Sequence, residues 1–378
     1  MRGAAARRTA ETAPRARPSL RNPSIEAARD RYLRSVLARW YGRARRDLPW
    51  RRTSDPYRIL VSETMLQQTR VAAVVPYYER FTARFPDVRA LADAPIDEVL
   101  ALWAGLGYYR RARHLRSAAE AIVSRHGGAV PEEEDALLAL PGIGRYTAGA
   151  IRSIAFGLRA PVLDGNVFRV FARFFALEGS WDRPADRAAF WKLAEGLVPK
   201  RRPGDFNQAM MELGALVCLP KGPDCAHCPL CARCAARLAG SVDRLPAPRR
   251  RPGTEIVRIE RYLVEDAAGR ILIERRPEGG RMAGLWDLPE AAPRGARPRP
   301  IAAFRHSILR FRYEVAVFRA RPGAGTKRAR GSRGAGGGGS SAERLFVARE
   351  DLAAYALTAM AKKAIEAGRS AGPDRPRK

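Results

Sequence analysis

Hydrophobic residues recur every three to four positions through most of residues 29–240, in segments separated by Pro and Gly. This period is that of an amphipathic helix, and no segment there alternates convincingly with a period of two. We therefore predict an all-α domain over residues 29–240. Residues 1–28 carry several Arg and little apolar material, so they are predicted to form a disordered basic arm.

The pattern changes after a Pro- and Arg-rich stretch at residues 241–255, which is predicted to be an exposed linker. Alternating β-branched and aromatic residues then mark three segments, and a helical pattern returns at residues 352–367. These segments are 255–264, 269–275 and 312–319. Residues 256–368 are therefore predicted to form a smaller α+β domain with a flexible Gly-rich insertion at 320–341. The tail, residues 369–378, is predicted to be disordered.

The composition favours a polyanionic partner. The 378 residues include 69 Lys and Arg against 39 Asp and Glu, a formal charge of +30, and such a charge causes self-repulsion unless a polyanion screens it. Nucleic acid is the expected partner, although an Arg-rich solvated surface explains the charge alone. No window approaches the length of an apolar membrane span and no signal-peptide pattern follows the Arg-rich start, so a cytoplasmic protein outside the membrane is expected.

The sequence Leu140-Pro-Gly-Ile-Gly-Arg-Tyr stands between two helical patterns. Gly142 and Gly144 allow a tight turn that leaves backbone N–H groups at a helix N-terminus, where the helix dipole favours a phosphate. The turn is typical of a helix-hairpin-helix anchor, which binds the DNA backbone without reading its sequence. An ordinary Gly-containing turn between helices explains the same spacing.

Two carboxyl groups are candidates for acid–base chemistry. In a helix over residues 57–69, Glu63 follows Ile59 by four positions and lies beside the apolar face. Burial there raises the pKa of a carboxyl, as a general acid at neutral pH requires. The alternative is a Glu on a helix edge with its head in water. Asp164 precedes an apolar-periodic run, where a helix N-cap is the simplest interpretation and is compatible with a catalytic role.

Five cysteines lie between Cys218 and Cys234. An odd number in so short a stretch suits a metal better than a set of disulfides, and it indicates a reducing compartment. Thiolates bind both zinc and iron–sulfur clusters, and Cys225, Cys228, Cys231 and Cys234 form two C-x-x-C pairs. The spacing leaves the metal and the fourth ligand open.

Together these residues resemble the helix-hairpin-helix DNA glycosylase superfamily that includes endonuclease III, and within it the MutY-type adenine glycosylases. The resemblance covers residues 48–234 almost without gaps. It is carried by Leu48-Pro-Trp-Arg, Ser62-Glu-Thr-Met-Leu-Gln-Gln-Thr-Arg-Val, Gly105-Leu-Gly-Tyr-Tyr, Leu163-Asp-Gly-Asn-Val and Phe206-Asn-Gln-Ala-Met-Met-Glu-Leu-Gly-Ala. It implies a mainly α glycosylase domain with an iron–sulfur loop, followed by a smaller α+β, Nudix-like domain.

The resemblance also implies catalytic roles. Glu63 would protonate an extruded adenine, and ionised Asp164 would stabilise the oxocarbenium-like sugar, so the two carboxyl groups are expected to have opposed environments. Tyr146 stands where the endonuclease III branch has a Lys that attacks the sugar. A phenol forms no Schiff base, so a glycosylase without strand cleavage is expected.

Further residues are implied to contact DNA. Gln67, Gln68 and Tyr108 would fill the space left by a flipped nucleotide, whereas Tyr109 is expected to pack in the core. Arg51 and Glu212 would lie close to the adenine, with Glu212 accepting from its amine. The DNA-binding set is completed by two neighbours in the same motifs, Thr69 and Asn166.

The resemblance selects a [4Fe–4S] cluster and its ligands, Cys218, Cys225, Cys228 and Cys234, and leaves Cys231 as a spare thiol. Residues 271–277 and 284–290 resemble the Nudix-like domain, but the paired glutamates that hold Mg²⁺ in active Nudix hydrolases are missing from the sequence. The family recognises 8-oxoguanine through a Phe-Ser-His loop. The matching stretch here contains His306, Ser307 and, after Ile308 and Leu309, Arg310, which can still donate to an oxidised base.

The leading hypothesis is therefore a monomeric adenine glycosylase that acts on double-stranded DNA containing A:8-oxoguanine or A:G mispairs. One alternative is an endonuclease III-like lyase on oxidised pyrimidines, which Tyr146 disfavours. The other is a non-catalytic DNA-binding Fe–S protein, which the presence of both Glu63 and Asp164 disfavours.

Overall fold

The computed structural model describes residues 23–249, 253–277, 279–291, 299–322 and 343–370. The first part is helical, which confirms the prediction of an α-helical fold for this region. Its helices are α1 (Pro23–Ala44), α2 (Pro56–Leu66), α3 (Val71–Arg84), α4 (Val88–Asp93), α5 (Ile96–Trp103), α6 (Arg110–His126), α7 (Glu134–Leu138), α8 (Arg145–Ile154), α9 (Gly165–Phe175), α10 (Pro184–Leu197), α11 (Pro203–Leu216) and α12 (Ala235–Leu238). Within the described ranges, no helix combines the length and apolar character needed to cross a membrane.

The described helices enclose two hydrophobic cores. One, around Trp103, is built mainly from α2 to α6, and the other, around Phe171, is built from α1 and α9 to α11. Helix α8 packs against both, because Ile151 faces the first core and Ala150 faces the second. Residues at the ends of α2, α8, α9 and α11 therefore meet where the cores adjoin.

Gly149 in α8 allows this helix to lie against the segment that leads into α9. A Cβ atom at Gly149 would stand 2.0 Å from the carbonyl oxygen of Pro161, far inside van der Waals contact, so only glycine fits. The close approach fixes α8 relative to Asp164, three residues further along the chain.

The second part contains strands β1 (Glu255–Val264), β2 (Ile271–Arg275), β3 (Trp286–Asp287), β4 (Ala302–Ile308), β5 (Phe311–Ala320) and β6 (Arg344–Val347), followed by helix α13 (Ala359–Ser370). They form two sheets of order β1-β5-β4 and β3-β2-β6. Strands β1 and β5 are parallel, with Glu255 opposite Phe311, and the other pairs are antiparallel. Helix α13 packs on the first sheet over an apolar core. A smaller α+β region is thus present, as predicted.

The boundaries differ in places from the predicted ones. Residues 23–28, assigned to the disordered arm, begin helix α1, because the fixed φ of Pro23 suits a first helical turn. Helix α13 extends to Ser370, two residues past the predicted domain end. Residues 1–22, 323–342 and 371–378, which hold most of the predicted arm, insertion and tail, lie outside the described residues.

Candidate active site

A cavity of about 170 Å³ lies where the ends of α2, α8, α9 and α11 meet. This volume is several times the roughly 30 Å³ that one water molecule occupies in the liquid. Glu63 of α2, Tyr146 of α8 and Asp164 at the start of α9 all line it. The two carboxyl groups singled out from the sequence, 101 positions apart in the chain, therefore face one shared space.

Glu63 is a buried acid. Helix α2 begins at a proline after the N-cap Asp55, whose side chain accepts from the N–H groups of Tyr57 and Arg58, and it carries Glu63 into the cavity wall. The residue is 5% exposed. Burial raises the pKa of Glu63 to about 7, against the opposing effect of the hydroxyl of Tyr146, which donates to Oε2 at 2.8 Å. The proton of this carboxyl is therefore available near neutral pH.

Asp164 is the N-cap of α9, as the sequence predicted. Its Oδ1 accepts from the N–H groups of Asn166 at 2.9 Å and Val167 at 2.7 Å, and its Oδ2 accepts from the Asn166 amide at 2.9 Å. Burial nevertheless raises the pKa of Asp164, because desolvation outweighs these hydrogen bonds. The two carboxyl groups were expected to have opposed environments. They differ in hydrogen bonding, since Asp164 accepts from three donors and Glu63 from one. The pKa shift, however, has the same direction in both groups.

Tyr146 connects the acid to α11. Its hydroxyl lies 2.8 Å from Glu63 Oε2 and 3.0 Å from the sulfur of Met211. Burial, with the nearby charge of Glu63, raises the pKa of Tyr146 well above its ordinary value. The phenol therefore stays protonated and acts as a donor. It offers no amine for attack on a sugar.

Arg51 and Glu212 also line the cavity, but Glu212 is not a free acceptor. Arg51 donates to both of its oxygens at 3.0 and 2.9 Å, and Arg46 adds its own forked contact at 2.9 and 2.6 Å. Burial alone would raise the pKa of Glu212, yet these hydrogen bonds lower it to about 2. Guanidinium groups therefore contact both oxygens of Glu212, and its contact with an adenine amine stays a prediction.

The glycine turn before α8 has the predicted shape. Gly142 has a φ of +76°, and a Cβ there would lie 2.6 Å from Cβ of His114. Gly144 is the N-cap of α8 and offers no side chain to its first N–H groups. Those groups are thus left to solvent or to an anion, as a phosphate anchor requires.

Gln67, Gln68 and Thr69 form a turn directly after α2, and Tyr108 lies in a second turn before α6. Gln68 and Tyr108 have φ values of 58° and 48°, and Tyr108 is 40% exposed. Thr69 reaches the cavity wall, as does Asn166 of α9. The hydroxyl of Tyr109 instead accepts from the N–H of Gly105 at 3.3 Å, and its ring packs against the first core, as predicted.

The residues predicted in the second part do not line this cavity. His306 and Ser307 lie in β4, and Leu309 and Arg310 form the turn between β4 and β5. Leu309 has a φ of 56° and is 70% exposed. Arg310 stands 3.6 Å from a carboxylate oxygen of Glu255.

The cysteines surround a small cavity of their own beside α9. Arg173 donates to the sulfur of Cys218 at 3.4 Å. Burial raises the pKa of Cys225, Cys228 and Cys234, that of Cys228 to about 12, and the nearby Cys218 raises all three further. Among the described residues, no group of three or more Cys, His, Asp or Glu side chains is arranged to hold a metal ion.

Sequence reasoning missed three residues that line the site: Arg46, Met211 and Gln208. Arg46 stands two positions before the Leu48-Pro-Trp-Arg motif, and the other two lie inside the quoted motif 206–215. A helical projection of that motif places positions 208, 211, 212 and 215 on one face, which is the signal that was available.

Comparisons with known proteins find similarity to DNA repair proteins. A family model described as "HhH-GPD superfamily base excision DNA repair protein" matches residues 61–195. The chain is 39% identical to the adenine DNA glycosylase of Homo sapiens over 309 residues, which cover 68% of this chain and 57% of the human protein. It is 35% identical to the adenine DNA glycosylase of Buchnera aphidicola subsp. Baizongia pistaciae over 258 residues, which cover 68% and 72% of the two chains.

Among solved structures, a thermostable thymine-DNA glycosylase is similar, with a TM-score of 0.53 and 32% identity. The match covers 57% of this chain and 99% of that one. The chain spans only a little over half the length of the human relative.

Proposed function

The chain belongs to the adenine DNA glycosylase family, and we propose that it excises adenine mispaired with 8-oxoguanine or guanine from double-stranded DNA. The observation that carries this proposal is the shared cavity of Glu63, Tyr146 and Asp164. An adenine inside a duplex is out of reach of such a cavity, so the nucleotide must leave the base stack and enter it.

The chemistry follows from the two acids. Protonated Glu63 donates to a ring nitrogen of the extruded adenine, and the electron pair of the N-glycosidic bond leaves with the base. Ionised Asp164 stabilises the positive charge that develops on the sugar. A water molecule then adds to the sugar carbon and gives up one proton to a carboxylate. The product is an abasic site, because Tyr146 cannot attack the sugar as a lysine amine would.

We propose that the second part recognises the base opposite the adenine and acts as a Nudix-like domain without pyrophosphatase activity. The exposed turn of Leu309 and Arg310 supports this role, since it offers an apolar side chain and a guanidinium beyond the end of a sheet. Arg310 can donate to the oxygen and nitrogen acceptors on the edge of a guanine or 8-oxoguanine. His306 and Ser307 lie in the strand that supports this turn.

We also propose a [4Fe–4S] cluster held by Cys218, Cys225, Cys228 and Cys234. All five cysteines are half-buried and line one cavity, which is enough thiols for the four ligands of a cluster, and the guanidinium of Arg173 complements the negative charge of the thiolates. The resemblance selects these four. Hydrolysis of an N-glycosidic bond transfers no net electrons, so a cluster bound here would supply structure to a loop that contains Arg233 and Arg237, two side chains suited to contact phosphates.

The cluster assignment predicts different results for two serine variants. Cys228→Ser is expected to remove the broad visible absorbance of the purified protein, because it removes a ligand. Cys231→Ser, the matched control in the same loop, is expected to keep it. A colourless wild-type chain with one zinc per molecule, measured by elemental analysis, would contradict the assignment, as would loss of colour in Cys231→Ser.

Single-turnover assays on three duplexes test the proposed function. They contain adenine opposite 8-oxoguanine, adenine opposite guanine, or an oxidised pyrimidine. Release of adenine without strand nicking supports the proposal. Strand scission at the pyrimidine lesion supports the lyase alternative, and tight binding without release of any base supports the non-catalytic one.

The rate of adenine release is expected to fall as the pH rises through about 7, because burial raises the pKa of Glu63 to about 7 and only the protonated form donates. Tyr146→Phe removes the hydrogen bond that lowers this pKa. In that variant the falling limb is therefore expected at higher pH. The measurement is a series of single-turnover rates between about pH 5 and 9. A rate that rises steadily over this range would exclude Glu63 as the acid.

A further inference from the structure

Arg111 is a buried arginine in α6, 9% exposed, outside the cavity described above. Its guanidinium donates to six acceptors in two separate segments. Nη1 donates to the carbonyl oxygens of Thr64 at 3.0 Å, Met65 at 2.8 Å and Gln67. Nη2 donates to Thr69 Oγ1 at 3.0 Å and to the carbonyl oxygens of Gly107 at 3.2 Å and Leu106 at 3.4 Å. One side chain thus joins the end of α2 to the turn before α6.

The acceptors on the first segment belong to the helix that carries Glu63. Thr64 and Met65 are in the last turn of α2, where carbonyl groups lack a partner within the helix. A cation at a helix C-terminus also interacts favourably with the helix dipole. Arg111 therefore stabilises the helix end only one residue beyond the proposed acid.

The two segments are strained where they project Gln68 and Tyr108. Both residues have positive φ values, 58° and 48°, a left-handed conformation that is unfavourable for residues other than glycine. Such backbones persist only where the surroundings fix them. Arg111 supplies these contacts, since it hydrogen-bonds on both sides of Gln68 and its guanidinium lies 5.2 Å from the ring centre of Tyr108.

Its contacts separate Arg111 from an ordinary ion pair. In the described part of the chain, the ion pairs of the helical region do not include Arg111, and its partners are carbonyl and hydroxyl oxygens. Burial lowers its pKa to about 10, so the group remains charged at neutral pH. Because its partners lie at the end of α2 and in the two turns, this buried cation fixes their relative position.

We propose that Arg111 is a positioning residue that holds the 67–69 turn and the 105–108 turn at a fixed separation, so that Gln68 and Tyr108 enter the base stack together while Glu63 receives the extruded base. The inference rests on the proposed function, because it concerns extrusion of the substrate base. It assigns to Arg111 an effect on unstacking and none on the bond-breaking step.

The test compares Arg111→Met and Arg111→Lys with Arg116→Met. Arg116 is a matched control in the same helix, since it donates to the carbonyl oxygen of Ala94 at 2.7 Å near the end of α4, away from both turns. Unstacking is measured with 2-aminopurine placed beside the target adenine, as the fluorescence rise at saturating protein. Adenine release is measured in single turnover from A:G and from adenine opposite an abasic site, where extrusion costs less.

We expect Arg111→Met to bind DNA but to give little of the wild-type fluorescence rise, and to release adenine from A:G about 100-fold more slowly. On adenine opposite an abasic site its rate should return to within about 10-fold of wild type, since that base is already unpaired. Arg111→Lys keeps the positive charge but lacks the forked N–H donors of the guanidinium, so its fluorescence rise and its rate should lie between those of wild type and Arg111→Met. This variant also tests the inference if Arg111→Met fails to fold. Arg116→Met should match wild type on both substrates.

Equal rate losses on both substrates with an unchanged fluorescence rise would overturn the inference, as would wild-type behaviour of both Arg111 variants. A wild-type chain that raises the fluorescence but releases no adenine would instead reject the proposed function. The role of Arg111 in unstacking would then still be decided by the fluorescence of its variants.

Discussion

Glu63→Gln is expected to lower the single-turnover rate of adenine release by about 100- to 10,000-fold, the contribution typical of a general acid. Glutamine has the size of glutamate, and its Oε1 can still accept from the Tyr146 hydroxyl, which now donates at 2.8 Å to the carboxyl. The amide has no acidic proton near neutral pH. The loss should therefore appear in the rate constant, with DNA affinity close to that of wild type.

The stability of the same variant shows whether the loss is chemical. Burial raises the pKa of Glu63 in the folded state from its ordinary value of 4.5 to about 7, so the folded state binds its proton more tightly than the unfolded chain. The contribution of Glu63 to the free energy of unfolding is therefore complete below about pH 4.5 and is lost as the pH rises through about 7. The loss amounts to at most about 3 kcal/mol. Glu63→Gln avoids this loss and should unfold at no lower a temperature than wild type at pH 8. A less stable variant, or one with full activity, would contradict the assignment.

The helical fold was predictable because its periodicity is strong over residues 29–240, whereas the pairing of the strands was not. Strand β1 has the predicted bounds, Glu255–Val264. Its neighbour is β5 in parallel orientation, and alternation within one strand carries no information on its partner. Strand β3 has two residues and β6 has four, too few for a pattern, because these segments are extended through pairing with β2.

The candidate site was predictable where local sequence determines the environment. Asp164 stands before an apolar helix, so its N-cap role follows from the pattern, and the burial of Glu63 follows from its place beside the apolar face. The state of Glu212 depends instead on Arg46, 166 positions away, and helix periodicity does not report such a contact. Arg111 was missed because a charged residue in a helix is normally assigned to the solvated face.

Asp164→Asn is expected to lower the rate of adenine release by about 100- to 1,000-fold, the effect of removing one electrostatic contact to a developing charge. The substitution separates the two roles of this residue. Asparagine is as good an N-cap as aspartate, so its oxygen can keep the hydrogen bonds that Asp164 now accepts from the N–H groups of Asn166 and Val167. The negative charge beside the sugar is lost.

The matched variant for the structural role is Asp164→Ala, which removes the cap and the charge together and should cost about 1 kcal/mol in the free energy of unfolding. Urea denaturation of both variants, beside their single-turnover rates, distinguishes the roles. If Asp164 acts on the sugar, the asparagine variant combines near wild-type stability with a slow rate, and the two variants have similar rates. If Asp164 is only a cap, the asparagine variant keeps its activity, and the assignment of the charge-stabilising carboxylate fails even if Glu63 proves to be the acid.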